Sequence, residues 1–129
     1  MALSDVETIL LVFVVLQIKH CLADFVLQTP RMIHEKGIYG ASHGIYHSLW
    51  HSAGTLLAFV WLHPIIGLVT AFFDFLLHYH IDWFKTKINA HSKLSPQDRA
   101  FWVWFGVDQL AHQLTYIMLI WWIFFGLQQ

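Results

Sequence analysis

The stretch Thr70–Lys85, with the sequence TAFFDFLLHYHIDWFK, decides the fold. Its polar residues recur every four positions within a largely apolar setting: Thr70, Asp74, His78 and Asp82. In an α-helix this spacing places them on one face, because residues four apart are neighbours there. Polar residues inside a membrane helix almost always face other helices rather than lipid. The stretch therefore predicts a transmembrane helix that contributes to a shared polar interior.

The composition extends this interpretation to the whole chain. Of its 129 residues, 57% are hydrophobic and 12% are charged, and this charged share is about half that of ordinary soluble domains. The net charge of -1 offers no basic surface, so we expect no nucleic-acid partner. The single cysteine, Cys21, excludes an internal disulfide and a cysteine-cluster metal site. Ten histidines outnumber the seven lysines and arginines, and this excess needs a reason.

Four apolar segments each approach the roughly 20 residues that cross a bilayer. We expect helices at about 6–28, 43–62, 65–84 and 96–125, in a single transmembrane domain that covers residues 1–129. His63-Pro64 is expected to form a tight turn between the second and third helices, since proline is tolerated where a helix starts, and Ser95 is expected to cap the fourth with Pro96 in its first turn. The predicted fold is all-α, an integral membrane four-helix bundle.

The basic residues predict the orientation of this bundle. Six of the seven follow the first or third helix: Arg31, Lys36, Lys85, Lys87, Lys93 and Arg99. The positive-inside rule then places both loops in the cytoplasm and both termini on the non-cytoplasmic side. Lys19, inside the first helix, is expected to reach the lipid headgroups with its ammonium group; the alternative is that it offsets part of the charge of the membrane aspartates. The chain is thus predicted to be a multi-pass protein of the bacterial inner membrane, with the lipid bilayer as its surroundings.

Each predicted helix carries one pair of candidate metal ligands four residues apart. The pairs are His20/Asp24, His47/His51, His78/Asp82 and Asp108/His112. Two side chains so spaced on one helical face can bind the same ion. With a rise of about 1.5 Å per residue, all four pairs lie roughly 10–12 Å from the presumed cytoplasmic ends. The sequence therefore predicts that eight metal ligands meet in one layer of the bundle.

Charge balance supports a metal site in this layer. Asp24, Asp74, Asp82 and Asp108 would all lie within the membrane, where each aspartate costs about 2.5–3.5 kcal/mol at mid-helix. Two divalent cations would balance four carboxylates, and a single ion with protonated carboxylates is the alternative. Nitrogen and oxygen donors without thiolates suit Zn, Mn or Fe.

Other polar residues near the layer are assigned supporting roles. Asp74 is expected to act as a general base or to orient a ligand histidine, and Lys85 to take part in catalysis at the site's mouth. Gln28 and Arg31 are placed beside Lys85, where they can hold a phosphate or carboxylate headgroup. Gln109 is expected to contact substrate or support a ligand. His43, at the entrance of the second helix, is either a ligand or an ordinary interfacial histidine.

Four motifs cover most of the chain: HCLADFVLQ at 20–28, the segment containing His43 and His47, HYHIDWFK at 78–85, and DQLAH at 108–112. In these motifs the chain resembles a family of small bacterial and phage membrane proteins known only as a domain of unknown function, which implies no activity. The helical His/Asp pairs are also loosely similar to small inner-membrane proteins described as metal-dependent hydrolases. Histidine-box desaturases fit less well, because their adjacent-histidine boxes are absent here.

Two classes of function fit these residues best. The first is a metal-dependent hydrolase that acts on a small lipid-like or amphiphilic substrate, with a metal-bound water as nucleophile. The second is a divalent metal transporter or sensor, since His20/Asp24 and His78/Asp82 resemble the sites of cation-diffusion zinc carriers. A homodimer would supply the additional helices that transport needs. Di-iron or haem redox chemistry is a third alternative.

Overall fold

The computed structural model describes residues 4–127, and its regular elements are all helical. Helix α1 spans Asp5–Cys21 and continues into a π-helical turn, Leu22–Val26. It is followed by α2 (Pro30–Glu35), α3 (Ser42–Phe59), α4 (Pro64–His91) and α5 (Arg99–Trp121), which ends in a second π-helical turn, Trp122–Gly126. No strand occurs between residues 4 and 127. The all-α prediction is confirmed.

The local sequence explains where α4 and α5 begin. Helix α4 begins at Pro64, one residue before the predicted start, and the His63 side chain accepts a hydrogen bond from the N–H of Ile65 at 3.2 Å. The predicted start of the last helix at Ser95 is wrong. The Asp98 carboxylate accepts hydrogen bonds from the Ser95 N–H and hydroxyl, both at 2.8 Å, which holds residues 95–98 in a turn. Helix α5 therefore begins at Arg99.

Helix α2 was not predicted from the sequence. The Thr29 hydroxyl caps it by accepting a hydrogen bond from the N–H of Met32, and Pro30 is its first residue. A Thr-Pro pair is a recognisable helix start, so this signal was present but was overlooked beside the longer apolar segments. The short helix packs against α3 and turns the chain back towards the bundle.

The helices are arranged around the α3–α4 hairpin. Helix α4 contacts both α3 and α5, and α1 packs against α3 and α5. Gly67 lies at the hairpin's close approach, because a Cβ there would be 2.8 Å from the Val60 Cα. At this end of the bundle an apolar cluster fills the interior, and its buried members are Val12, Leu16, Ala58, Phe59, Tyr116, Leu119, Ile120 and Ile123.

Away from that cluster, the distribution of polar and apolar residues is the reverse of a soluble domain's. The largest fully buried side chains include four histidines and an aspartate: His47, His51, His78, His112 and Asp74. Large apolar side chains cover the outside, with Leu57 70% exposed and Leu68 61% exposed. Two helical segments, Asp5–Val26 and Pro64–His91, are long and apolar enough to cross a membrane. The four-span membrane bundle itself remains a prediction.

Candidate metal centre

Seven predicted ligands come together in one buried cluster, which we call the centre. The ligand atoms of Asp24, His47, His51 and His78 lie within 4.8 Å of one another, as do those of His78, Asp82 and His112. Asp108 joins the second group, since its Oδ1 is 3.6 Å from the His112 Nε2. All seven side chains are buried. The centre thus receives residues from every long helix.

Helical geometry explains how these side chains converge. His47 and His51 stand one turn apart on α3, and His78 and Asp82 one turn apart on α4. On the first helix, Asp24 lies in the π-helical turn that follows Cys21. Such turns occur often at functional sites. The sequence spacing therefore predicted the faces correctly, although not the local π-helical geometry.

Distances in the first group match those between ligands of one metal ion. The His47 Nε2 is 3.3 Å from the His78 Nε2 and 3.0 Å from the Asp24 Oδ1, which is 3.4 Å from the His51 Nε2. With metal–ligand bonds of about 2.0–2.1 Å, two tetrahedral ligands lie roughly 3.3–3.4 Å apart. These three distances therefore fit donors to one ion, and the first group offers three nitrogen donors and one oxygen donor.

The Asp82 carboxylate connects the two groups. Its Oδ2 lies 3.3 Å from the Nε2 atoms of both His47 and His78. Its Oδ1 faces the second group, 3.6 Å from the His112 Nε2. Because each oxygen faces a different group, this carboxylate would be able to serve an ion held by either group. The His78 Nε2 has one lone pair and can serve only one of them.

Buried atoms without hydrogen-bond partners support the fit to a cation. Within residues 4–127, neither ring nitrogen of His51 has a partner, and the same holds for the His112 Nε2 and the Asp108 Oδ1. Leaving such an atom unpaired costs about 1–3 kcal/mol. A divalent cation at the centre would satisfy the acceptor atoms among them, so the residues of the centre fit a bound metal ion.

His20 lies beside the centre rather than in either group. Its Nε2 is 3.0 Å from the Gln109 Oε1 and 3.2 Å from the Asp24 Oδ2, while its Nδ1 is 2.9 Å from the Tyr116 hydroxyl. An amide oxygen can only accept, so the Nε2 donates and the Nδ1 accepts from Tyr116. These contacts favour a supporting role for His20 over the predicted role of ligand. The Gln109 amide also donates to the Asp108 Oδ2 at 3.2 Å, which fits its expected supporting position.

Asp74 is engaged in a separate buried ion pair. Its Oδ2 lies 2.7 Å from both the Lys19 Nζ and the Thr55 hydroxyl. Lys19 also donates to the backbone carbonyl of His51 at 3.1 Å and lies over the Tyr116 ring. The prediction that Lys19 reaches the lipid headgroups is wrong, because these two acceptors hold its ammonium group inside the bundle. Asp74 is accordingly placed to neutralise Lys19, which differs from its expected role as a base.

Lys36 reaches the centre, which the sequence analysis did not foresee. Its Nζ lies 3.0 Å from the Asp82 Oδ2 and 3.4 Å from the Asp24 Oδ1, and its side chain is 10% exposed. Burial alone would lower the pKa of Lys36, but the carboxylates of Asp82 and Asp24 raise it above the ordinary value. Lys36 is therefore a permanent positive charge on two candidate ligands.

Glu35, the residue before Lys36, joins the end of α2 to the start of α3. Its carboxylate accepts from the Arg31 Nε at 2.8 Å and from the His43 N–H at 2.9 Å, and it contacts the His43 Nδ1 at 3.0 Å. The hydrogen bonds from Arg31 and from the His43 backbone lower the pKa of Glu35 to about 2. Gly44 lets the chain approach, because a Cβ there would lie 3.1 Å from the Glu35 carbonyl oxygen. The structure thus places Arg31 and His43 in this contact, and neither lies at the centre.

Two of the residues expected at the mouth lie there. The Lys85 Nζ is 3.6 Å from the Asp108 Oδ2. Gln28 donates from its amide to the Asp24 carbonyl oxygen at 2.9 Å, while its Oε1 is buried without a partner between residues 4 and 127. Both line a cavity of about 90 Å³ that also includes Asp24, Lys36, Asp108 and Gln109. This cavity connects the centre to the surface.

A family model described as protein of unknown function (DUF3307) matches residues 12–129. The chain belongs to this family. The matched range contains every residue of the centre and also Lys36, and the family resemblance seen in the sequence is confirmed. The looser likeness to hydrolases gains no support from the DUF3307 match. No curated protein and no solved structure matches the chain.

The donor set in this DUF3307 protein limits the chemistry available. Imidazole and carboxylate groups without thiolates are ligands for Zn, Mn and Fe. The seven side chains of the centre could hold one ion, or two ions that share Asp82. The centre is buried except where the mouth cavity meets it. Such a site can bind a metal, activate a water molecule at the mouth, and hold a small group between Lys36 and Lys85.

Proposed function

We propose that this protein is a membrane-embedded metal-dependent hydrolase that acts on an amphiphilic substrate. The observation that carries the proposal is the geometry of the centre, in which the ligand atoms of two groups lie within 4.8 Å of one another. Side chains from different helices converge at metal-ligand spacing, and several buried atoms lack partners. An interior stabilised by hydrogen bonds alone would pair those atoms.

The distribution of polar residues supports placement in a membrane. A soluble domain buries its apolar side chains and exposes its charges, whereas here Phe72 is 58% exposed and His51 is fully buried. All loop lysines and arginines lie at the end of the bundle that carries the mouth, between α1 and α3 or between α4 and α5. By the positive-inside rule we place this end in the cytoplasm of a bacterial cell.

The centre offers positions for one or two divalent ions. Asp24, His47, His51 and His78 would hold the first, and Asp82, His112 and Asp108 the second. A bound ion of this class lowers the pKa of a coordinated water to about 7, which supplies hydroxide at neutral pH. His20 and Gln109 then orient Asp24 and Asp108, because outer partners of this kind fix the direction of metal ligands.

Hydrolysis is favoured over transport by what lies beyond the centre. A transport path would continue across the bundle, but the Lys19–Asp74 pair and the apolar cluster around Leu16 and Phe59 fill the interior there. The centre also leaves no space for a porphyrin, since the His51 and His78 rings stack at 3.6 Å and the His78 and His112 rings at 4.1 Å. We therefore propose a closed-ended site that is reached from one side.

Elemental analysis of the protein purified in detergent tests the metal. We expect one or two equivalents of Zn, Mn or Fe, and a loss of at least half of this metal in His78→Gln, because His78 is a proposed ligand of the first ion. His43→Gln is the matched control, since it removes a nearby histidine outside the centre. Circular dichroism checks that each variant is folded. A wild-type protein without stoichiometric metal would contradict the proposal.

Activity is tested separately on the metal-loaded protein. Ester and phosphoester amphiphiles are incubated with wild type and with Asp82→Asn, which keeps the size of the proposed bridging group while removing its charge. We expect turnover by the wild type and a loss of at least 100-fold in the variant. Metal flux into proteoliposomes without hydrolysis would instead establish transport.

A further inference from the structure

Two lysines, Lys36 and Lys85, line the mouth cavity of the centre. Lys36 follows α2 and contacts Asp24 and Asp82, whereas Lys85 lies on α4 and contacts Asp108. Their side chains are only 10% and 22% exposed. Nearly buried lysines at a metal centre are unusual unless a negative charge remains to be matched.

The charges around the mouth change sign when a metal binds. Asp24, Asp82 and Asp108 provide three negative charges against the two positive charges of Lys36 and Lys85, so one negative charge remains with neutral histidines. One divalent ion leaves one net positive charge, and two ions leave three. The loaded centre therefore attracts an anion, and an anion with several oxygens can contact both lysines at once.

The cavity between the lysines has the size and the polar groups for such an anion. Its volume is about 90 Å³, which is enough for several water molecules and hence for one phosphate group. Gln28 lines it, and its Oε1, which is buried without a partner among residues 4–127, can accept a hydrogen bond from a substrate hydroxyl or a protonated phosphate oxygen.

A wider apolar cleft continues outward from this cavity. It has a volume of about 440 Å³ and shares Phe25, Gln28, Lys36, Lys85 and Phe105 with the cavity. Its outer wall is formed by Ile33, Pro96, Phe101 and Trp102. Along the path from the centre through the cavity to the cleft, the lining changes from candidate metal ligands to lysines and then to mainly aromatic side chains. This order matches a molecule with a charged head and an apolar tail.

We propose that the mouth binds a phosphate-bearing amphiphile, with its phosphate between Lys36 and Lys85 and its hydrocarbon chain in the aromatic cleft. The inference rests on the proposed function and names the substrate class of the same centre. A phosphate monoester is favoured over a carboxylate because it carries up to two negative charges and three acceptor oxygens. With two ions bound, the centre and the two lysines carry a net charge of plus three, which a doubly charged phosphate matches better than a singly charged carboxylate.

Calorimetric titration of the metal-loaded protein with decyl phosphate tests this inference. We expect decyl phosphate to bind at least tenfold more tightly than decanol, decanoate or inorganic phosphate. In Lys85→Met the affinity for decyl phosphate should fall at least tenfold while the metal content stays unchanged. Lys85→Arg should keep most of the affinity, and Lys87→Met, an exposed lysine two residues along α4, is the matched control.

The outcomes separate this inference from the proposed function. Metal-loaded wild type that binds decyl phosphate no better than decanol overturns the phosphate site and leaves the metal centre intact. Equal binding of inorganic phosphate and decyl phosphate overturns the role of the aromatic cleft. An absence of stoichiometric metal in wild type, seen by elemental analysis before titration, refutes the metal centre itself.

Discussion

At the scale of single residues, Lys36 and a bound metal compete for the same carboxylate oxygens. The Lys36 ammonium contacts the Asp82 Oδ2 and the Asp24 Oδ1, and both oxygens also face the His47 Nε2. Like charges at such distances repel strongly inside a protein. Lys36 would therefore weaken the binding of an ion at the centre.

Removing this charge should strengthen metal binding. We expect Lys36→Met to raise the metal affinity at least threefold in a chelator competition, because the repulsion on the bound cation is lost. Lys87→Met should leave the affinity unchanged. A lower metal affinity in Lys36→Met would show that the lysine is needed to hold the carboxylates in place.

The residue scale also shows what the sequence can predict. Spacing of four residues identified His47/His51 and His78/Asp82, because that geometry lies within one helix. The positions of Lys36 and His43 could not be predicted in the same way, since they depend on the contact between the Glu35 carboxylate and the first turn of α3. Lys36 was therefore interpreted only as a loop cation, and His43 as a possible ligand.

At the scale of elements, the α3–α4 hairpin depends on Gly67. A Cβ at this position would lie 2.8 Å from the Val60 Cα, and backbone atoms cannot move aside as a flexible side chain does. We expect Gly67→Ala to lower the free energy of unfolding by about 1–3 kcal/mol, the usual range for overpacking. Unfolding in detergent measures this change.

The matched control is Gly106→Ala, because a Cβ at Gly106 meets nothing within 4 Å. Alanine is the better helix former, so this variant should be as stable as wild type or slightly more stable. If both variants unfold alike, the close approach of Gly67 to Val60 does not stabilise the hairpin.

Helix α2 is held to α3 by the ionised Glu35 carboxylate. Its folded pKa of about 2 is below the usual glutamate value of 4.5, so its stabilising effect is complete above about pH 4.5 and is lost as the pH falls towards 2. We expect Glu35→Gln to have a lower melting temperature than wild type at pH 7. The difference should shrink between pH 4.5 and 2.

The metal-free protein is the sample for this comparison, because ligand protonation would otherwise release metal over the same range. Asp5→Asn, which changes an exposed carboxylate in the first turn of α1, is the control. A difference between Glu35→Gln and wild type that does not change with pH would contradict the role of the ionised carboxylate.

The elements differ in how far the sequence could predict them. Apolar length identified α1, α3, α4 and α5, but α4 continues to His91 because polar residues such as Lys87 and Asn89 also form helix once the chain leaves the apolar region. The start of α5 was misplaced, since Ser95 and Asp98 bond in a turn rather than as a cap. Boundaries of this kind depend on individual hydrogen bonds.

At the scale of the whole molecule, the metal should stabilise the bundle, because its ligands come from α3, α4, α5 and the turn after α1. Metal at 100 times its dissociation constant adds about 2.7 kcal/mol. We expect a chelator to lower the melting temperature by on the order of 10 °C, and added metal to restore it. His78→Gln should show a much smaller response, and an equal response would place the stabilising ion elsewhere.

The orientation and the assembly are also tested on the whole molecule. We expect reporters fused at either terminus to lie on the non-cytoplasmic side, while a reporter inserted near Lys93 lies in the cytoplasm. Analytical ultracentrifugation in detergent determines whether the proposed homodimer forms. A cytoplasmic reporter at both termini would reverse the assigned orientation.

The buried pair between Lys19 and Asp74 has a consequence for biosynthesis. The ribosome completes α1 well before α4, so Lys19 is made before its partner. If α1 spans a membrane, its apolar residues favour insertion, while the ammonium group of Lys19 lacks the carboxylate that later neutralises it. The arrival of α4 would then remove the cost of that unpaired charge, which would couple the two helices during synthesis as well as in the finished bundle.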